Sequence, residues 1–342
     1  MPKERISKEK RSLALMALFE GLGVNATCRL AGLARETLDR VLVETAEACE
    51  SWHDKHFRGL SIARMEIDEQ WSYVHTHKER MTLEERAEHR QRGDCWLWAC
   101  IDADSKAVIS WKTAKRSLAA AHSFSKDIAA RVDGNTQVTS DLLAGYRYAI
   151  PAAFGERAAY ATERKEFGKE WTPDANYLKK RVDPLKRVER RAVKGKPDLS
   201  TATVCHIERF FLTTRQGNKR LARKTLAYSK KWDNHAATSS VFAFIYNLVR
   251  KHEALHGRTP AQVLGVADKR WAIGDVVEMV EAFHKAKEDA AFESAFAAAT
   301  FVEKQRPVRT YEPVKPKTPW YLDKDSGGKD ALIRKAGVNY DA

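Results

Sequence analysis

The first fifty residues place apolar side chains at the period of helices. Positions 15, 18, 19 and 22 are apolar and fall at i, i+3, i+4 and i+7, and positions 38, 41 and 42 repeat that spacing. Arg35, Thr37 and Arg40 fall on the other side of the last helix. The spacing predicts a helix-turn-helix domain over residues 1–50 whose last helix enters the major groove of DNA. An ordinary three-helix packing unit without DNA contact would show the same pattern.

From Arg64 onward the pattern changes to that of strands. Met65 and Ile67 alternate with Glu66 and Asp68, so Asp68 points away from the apolar pair. The apolar run at residues 95–101 is typical of a strand that is buried on both faces. The pattern then predicts a strand at residues 107–113, a helix at 118–132 and a strand at 136–140. A helix that ends near position 151 and a strand at 158–162 follow.

This order of elements is that of the ribonuclease H-like fold, an α/β fold with a mixed sheet and flanking helices. Strand 136–140 delivers Asp141 at its C-terminal end. A long helix predicted from Thr203 to Lys230 takes the place of the last helix of that fold, and it carries Glu208 near its start. The sequence therefore predicts that Asp68, Asp141 and Glu208 lie on neighbouring elements.

The helix from Thr203 to Lys230 is crowded with cations. A carboxylate at the head of such a helix suggests a metal ligand beside a phosphate backbone, whereas a surface helix with a solvated charged face is the plainer interpretation. The same two readings apply to an insertion at residues 163–199, which holds twelve Lys or Arg. We predict that this insertion contacts DNA through phosphates, and a solvated loop is the alternative.

Composition favours a nucleic-acid partner. The chain has 342 residues, a net charge of +14 and a pI near 9.5, which favours a polyanion. Neither a run of eighteen apolar residues nor a signal peptide is present, so we expect a cytoplasmic, nucleoid-associated protein that does not enter a membrane. The five cysteines form no C-x-x-C pair, which argues against a zinc ribbon.

Several motifs together resemble one family of enzymes. The stretch HIERFFLTTRQGNKRLARKTLAYSKKWDNHAA and the later FIYNLVRKHEALHGRTPA resemble the C-terminal catalytic block of the insertion-sequence-one type of DDE transposase. The segments EIDEQWSYV around Asp68 and VTSDLLAGYRYAI around Asp141 resemble the first two catalytic blocks of that family. The resemblance covers residues 6–285, although many members carry a zinc ribbon that this chain lacks.

The resemblance implies a DNA transposase that cuts and joins the ends of an insertion sequence. Asp68, Asp141 and Glu208 would be both the catalytic residues and the metal ligands, for two Mg²⁺ ions that Mn²⁺ can replace. Water would be the first nucleophile, and the freed 3′ hydroxyl would then attack the target strand. The predicted DNA-binding residues are Arg35, Thr37, Arg40, Lys179, Lys180, Arg181, Arg209, Arg215, Arg220, Arg223 and Lys224.

The corresponding domain organisation has four parts. A helix-turn-helix domain at 1–50 and a linker at 51–63 precede a ribonuclease H-like domain at 64–285, and a C-terminal helix with a disordered tail fills 286–342. The partners would be double-stranded DNA, at element ends and target sites, and further copies of the chain. A non-catalytic regulator derived from a transposase and a structure-specific nuclease on the same fold are the alternatives.

Three further groups carry weaker signals. Asp102 and Asp104 flank a short stretch that superficially resembles a calcium loop, and a hairpin turn accounts for it better. His206 and His235 are interpreted as hydrogen-bonded polar residues, because no second His or Cys stands at ligand spacing from either. Glu69 is expected to point away from Asp68 and to be structural.

Overall fold

The computed structural model describes residues 6–168, 170–173, 179–222 and 225–305, and for 170–173, 179–182 and 295–305 it describes the backbone alone. The described residues up to Lys287 form one compact unit, and residues 288–305 belong to a second. Within the described part of the chain, no helix is both long and apolar enough to cross a membrane. The tail predicted to be disordered lies outside the described residues from position 306 onward.

A six-stranded mixed sheet forms the centre of the first unit. The strands of this sheet are β2 (Arg64–Val74), β3 (Gly93–Asp102), β4 (Val108–Ala114), β6 (Thr136–Ser140), β7 (Ala158–Phe167) and β10 (Leu185–Lys194). The strand order is β10-β7-β6-β2-β3-β4, with β2 antiparallel to β3 and parallel to β6. Strand β7 is parallel to β6 and antiparallel to β10. Two shorter pairs are β1 (Leu60–Ser61) with β5 (Val132–Asp133), and β8 (Glu170–Pro173) with β9 (Lys179–Val182).

Helices pack on both faces of this sheet. The ten α-helices of the described residues are α1 (Lys8–Phe19), α2 (Val24–Ala31), α3 (Arg35–His56), α4 (Leu83–Glu88), α5 (Leu118–Ala129), α6 (Ala144–Phe154), α7 (Cys205–Gly217), α8 (Trp232–Leu248), α9 (Pro260–Leu264) and α10 (Ile273–Gln305). Trp98 of β3 contacts Phe124 of α5 and Tyr146 of α6 on one face. Gln70 of β2 bonds Thr214 of α7 at 2.6 Å on the other. The predicted mixed sheet with flanking helices is confirmed.

The N-terminal helices share the core of the sheet. Phe19 of α1 packs against Phe242 of α8, with ring centroids 5.2 Å apart. Trp52 of α3 packs against Phe244 and Trp271 at 5.4 and 5.1 Å. Because α3 continues to His56, the prediction of a linker at 51–63 is wrong over its first half. A linker would expose its apolar side chains, but Phe57, Leu60 and Ile62 are buried in the main core and Trp52 packs against it.

The helix that carries Glu208 is shorter than predicted. It ends at Gly217 instead of Lys230, and the next residue, Asn218, has an extended backbone. Gly217 packs so closely that a side chain there would lie 2.8 Å from the Phe19 carbonyl oxygen and from the Phe242 ring. The chain then turns and runs beside β2, where Ser229 forms a parallel bridge to Val74. This contact lies far away in sequence, so helical periodicity alone could not reveal it.

The basic insertion is largely β-structure. Residues 185–194 form β10, which pairs with β7 and extends the central sheet, and β8 and β9 form a separate antiparallel pair. Lys179, Lys180 and Arg181 lie on β9, where the backbone is described and the side chains are not.

Candidate active site

Two aspartates follow the last paired residues of two neighbouring parallel strands. The β2–β6 register ends at Ile67 opposite Ser140, so Asp68 and Asp141 are the next residue on each strand. The Asp68 carboxylate accepts a hydrogen bond from the Glu69 amide at 2.7 Å, and the Asp141 carboxylate accepts one from the Leu143 amide at 2.9 Å. The end of β6 therefore leaves an open position in the sheet where the two carboxylates face each other.

Glu69 joins these two aspartates. One carboxylate oxygen from each of Asp68, Glu69 and Asp141 lies within 4.8 Å of the others. Glu69 points to the opposite sheet face, as strand alternation requires, and accepts hydrogen bonds from Arg116 at 2.7 Å and from the Tyr146 hydroxyl at 2.9 Å. The prediction that Glu69 is structural did not include its closeness to Asp68 and Asp141. Because β6 ends at Ser140, Asp141 can approach side chains on both faces of β2.

The electrostatics of this acidic cluster oppose full ionisation. Burial, then the charges of Asp141, Glu69 and Glu208, raise the pKa of Asp68 well above its ordinary value. Burial and the charge of Asp141 raise the pKa of Glu69 to about 7, although Arg116 and Tyr146 favour its ionised form. Burial also raises the pKa of Asp141. Like charges this close repel one another, so a bound cation would relieve the strain.

Glu208 lies on the first turn of α7, near the cluster but outside the 4.8 Å group. Its charge contributes to the raised pKa of Asp68, which places it within electrostatic reach. Its carboxylate contacts the Lys165 ammonium of β7, and about half of the Glu208 side chain is exposed. Lys165 also lies 3.6 Å from Glu163, so this lysine bridges a buried and an exposed glutamate.

Two buried glutamates on the sheet fix the start of α7. The helix has no side-chain cap of its own at Val204. Instead, Glu66 of β2 accepts hydrogen bonds from the amides of His206 and Ile207 at 2.8 and 2.9 Å, and from His206 Nδ1 at 2.5 Å. Glu163 of β7 accepts one from the Val204 amide at 3.3 Å. The sheet thus caps the helix N-terminus and sets the position of Glu208.

The donor set fits a hard divalent cation. Magnesium prefers carboxylate oxygens and retains part of its water shell, so two or three carboxylates are sufficient. The acidic cluster offers such oxygens at a part-exposed position. Burial raises the pKa of both Asp68 and Asp141, and neighbouring carboxylates add to the rise at Asp68. The Arg116 guanidinium lies 2.7 Å from Glu69 and 3.9 Å from Asp141.

The structure places the helix-turn-helix candidates on an accessible surface. Arg35 and Arg40 are exposed at the start of α3 and Thr37 is half-buried. Arg40 also lies 3.6 Å from Glu44 one turn later. Gly32 adopts a left-handed conformation with φ of 61° between α2 and α3, which produces the tight turn that precedes α3.

The basic candidates of the α7 region separate into different environments. Arg209 is exposed and Arg215 is half-buried on α7. The Arg220 side chain is only 9% exposed and pairs with Asp39 of α3 at 3.2 Å, a position that fits packing between the two segments better than phosphate contact. Arg223 and Lys224 lie outside the described residues.

The weaker candidates have hydrogen-bond partners. His206 bonds Glu66, and buried His235 lies 2.9 Å from the Ser72 hydroxyl and 2.8 Å from that of Ser229, so the interpretation of both as hydrogen-bonded polar residues is confirmed. Asp102 accepts a hydrogen bond from the Ser105 amide at 2.9 Å in the turn between β3 and β4, as the hairpin-turn interpretation requires.

Sequence reasoning missed the residues that surround the acids. Arg116, in the segment before α5, contacts Glu69 and Asp141. Tyr146 of α6 bonds Glu69, and Lys165 of β7 contacts Glu208. Their local sequence carries no sign of this, because each reaches the site through the packing of an element distant in the chain. The close spacing of Glu66, Asp68 and Glu69 within β2 was the available signal for Glu69.

Comparisons with known proteins find likenesses among solved structures alone. No protein-family model matches the chain, and no curated protein is detectably similar to it. Among solved structures, it is similar to a piggyBac transposase in a cryo-EM structure of its synaptic complex with hairpin DNA. The alignment covers 98% of this chain and 81% of that one, with 9% sequence identity and a TM-score of 0.37. This likeness is too distant to assign a fold or a function.

Proposed function

We propose that the chain is a DNA transposase of the DDE class, of the insertion-sequence-one type, built on a ribonuclease H-like domain. The observation that carries the proposal is the meeting of Asp68 and Asp141 directly beyond the last register pair of β2 and β6. Their carboxylates share a part-exposed position with raised pKa values, as expected of ligands that await a cation. The strand order and directions from β4 to β7 agree with that fold.

In this proposal Asp68, Asp141 and Glu208 hold two Mg²⁺ ions, which Mn²⁺ can replace. The bound metal supplies positive charge for the attacking and leaving oxygens of phosphodiester transfer. Glu66 and Glu163 hold the start of α7, so that Glu208 stays beside the strand ends. Lys165 pairs with Glu208 and Glu163, and its ammonium would lie beside the metal site as a contact for a DNA phosphate.

The DNA-binding part of the proposal rests on charge and position. The α2–α3 pair presents Arg35 and Arg40 at an exposed helix start, as a recognition helix in the major groove would. Lys179, Lys180 and Arg181 on β9, with the exposed Arg209, would neutralise phosphates. We further propose that copies of the chain assemble on the two ends of one element.

Cleavage of supercoiled plasmid in Mg²⁺ tests the carboxylate assignment. Asp68→Asn, Asp141→Asn and Glu208→Gln should each lower the nicking rate by about 10³-fold, because each removes a charge that holds the metal. DNA binding in a band shift should be unchanged or stronger, since negative charge leaves a cationic surface. Asp104→Asn, an exposed aspartate in the β3–β4 turn, is the matched control and should cleave at the wild-type rate.

The three variants distinguish two forms of the proposal. Substantial cleavage by Asp68→Asn or Asp141→Asn would reject the assigned site. Full activity of Glu208→Gln together with inactivity of Glu69→Gln would instead identify Glu69 as the third ligand. Folding of every variant is checked by its thermal unfolding midpoint.

A further inference from the structure

The face of β2 that carries Glu69 continues past the acidic cluster as a group of aromatic rings. Trp71 and Tyr73 follow Glu69 at two-residue spacing and therefore point to the same sheet face. The ring centroids of Trp71 and Tyr73 are 5.8 Å apart, and the His77 ring stacks on Tyr73 at 4.0 Å. Tyr228 lies 5.2 Å from Tyr73. We name Trp71, Tyr73, His77 and Tyr228 the aromatic platform.

The aromatic platform is open to solvent. Trp71 is 38% exposed, and the other three rings are half-buried. Tryptophan is usually well covered in a folded protein, so an accessible indole beside three further rings indicates a binding surface. The sheet edge here is free of β6, which ended at Ser140, and the loop holding Tyr228 runs along β2 in its place.

Arg116 connects the aromatic platform to the acidic cluster. Trp96 of β3 lies directly opposite Trp71 in the β2–β3 register, and the Arg116 guanidinium lies over the Trp96 ring at 4.7 Å. The same guanidinium bonds Glu69 at 2.7 Å and lies 3.9 Å from Asp141. The aromatic surface is therefore continuous with the candidate cleavage site through one cation.

The charge around the aromatic platform favours a polyanion that carries ring systems. Lys78 and Arg80 are exposed on the short helix that follows His77, and the chain as a whole has a net charge of +14. Unpaired nucleotides supply both features, because each has a phosphate and a base with two free faces. Bases inside a duplex are stacked on each other and cannot offer those faces.

We propose that the aromatic platform binds the unpaired bases of the DNA strand whose phosphate lies at the acidic cluster. The bases stack on Trp71 and Tyr73, and the cations at Lys78, Arg80 and Arg116 contact the backbone. This inference rests on the proposed function, since it takes the acidic cluster as the site of strand cleavage. The aromatic platform would thus bind single-stranded DNA in preference to duplex DNA, whatever the base sequence of the strand.

Binding of the full chain to labelled oligonucleotides tests the proposal, by fluorescence anisotropy without divalent metal. Trp71→Ala should weaken binding of a short oligothymidylate by about 5- to 100-fold, the worth of one stacked base, and change binding of a blunt-ended duplex less than twofold. Trp71→Phe, which keeps a ring, should restore most of the affinity. Leu226→Ala is the matched control, because Leu226 is 98% exposed and lies two residues before Tyr228.

A second measurement locates the bases that stack on the aromatic platform. 2-Aminopurine placed along a single-stranded overhang should be quenched on binding at the positions next to the duplex junction, and Trp71→Ala should remove that quenching. Unchanged oligothymidylate binding by Trp71→Ala, or equal losses on single-stranded and paired DNA, would overturn the proposal. Because no metal is present, these outcomes are independent of cleavage. If the carboxylate variants still cleave DNA while Trp71→Ala loses single-strand binding, the proposed function is rejected and the aromatic platform is retained.

Discussion

Strand β2 carries acids in two adjacent regions, and their hydrogen-bond partners differ. Glu66 is buried, and three N–H groups at the start of α7 and on His206 satisfy its two oxygens. Two residues later, Asp68 accepts one backbone amide and faces Asp141 and Glu69. A fully bonded buried carboxylate stabilises the fold, whereas a cluster of partly bonded carboxylates costs stability until a cation binds. The comparison separates structural from functional acids on one strand.

Removing the satisfied acid should have the largest effect on stability. Glu66→Ala leaves two helix amides and His206 without their acceptor, so the free energy of unfolding should fall by about 3 kcal/mol. Glu66→Gln retains one acceptor oxygen and should cost about 1 kcal/mol. Denaturant titration of both variants measures the difference. Wild-type stability of Glu66→Ala would contradict the structural role of this residue.

His235 provides a buried group that is satisfied in its neutral form. Burial lowers the pKa of His235 to about 4, and two serine hydroxyls bond its ring. The unfolded state, with a pKa near 6.5, takes up the proton first, so the stability contributed by this group is present above that pH and is lost as the pH falls toward 4. Between pH 7 and 5 the loss is about 2 kcal/mol for this histidine.

His235→Gln should therefore flatten the pH dependence of the unfolding free energy by about 2 kcal/mol over that range. The pKa of His252 is also lowered to about 4 by burial, and this residue remains in the variant as an internal reference. A variant with the wild-type pH dependence would mean that the pKa of His235 in the folded protein is not lowered from its unfolded value.

Removing an unsatisfied acid should have the smallest effect, with the opposite sign. Asp68→Asn deletes one of the repelling charges, so metal-free protein at pH 7.5 should gain about 1 kcal/mol of stability. The pKa of Asp68 is raised in the folded state, so this gain should shrink as the pH falls and the wild-type carboxyl becomes neutral. A loss of stability at pH 7.5 would place Asp68 in the same class as Glu66.

The sequence predicted the parts of this site that depend on local pattern. Alternation in β2 placed Asp68, and the end of β6 at Ser140 placed Asp141, both as observed. The end of α7 at Gly217, the bridge from Ser229 to Val74 of β2 and the approach of Arg116 to Glu69 depend on contacts between distant segments. Hydrophobic periodicity depends on neighbouring residues and does not predict contacts between distant segments. The resemblance to a transposase family and the ribonuclease H-like fold stay predictions.

The central claim is that Asp68 and Asp141 share a divalent cation. Crystals grown with Mn²⁺ and measured at the manganese absorption edge test it most directly. We predict an anomalous peak within coordination distance of both carboxylates, with the Asp68→Asn protein lacking it under the same conditions. Anomalous maps without a peak at these residues, from crystals in which manganese binds elsewhere, would contradict the claim.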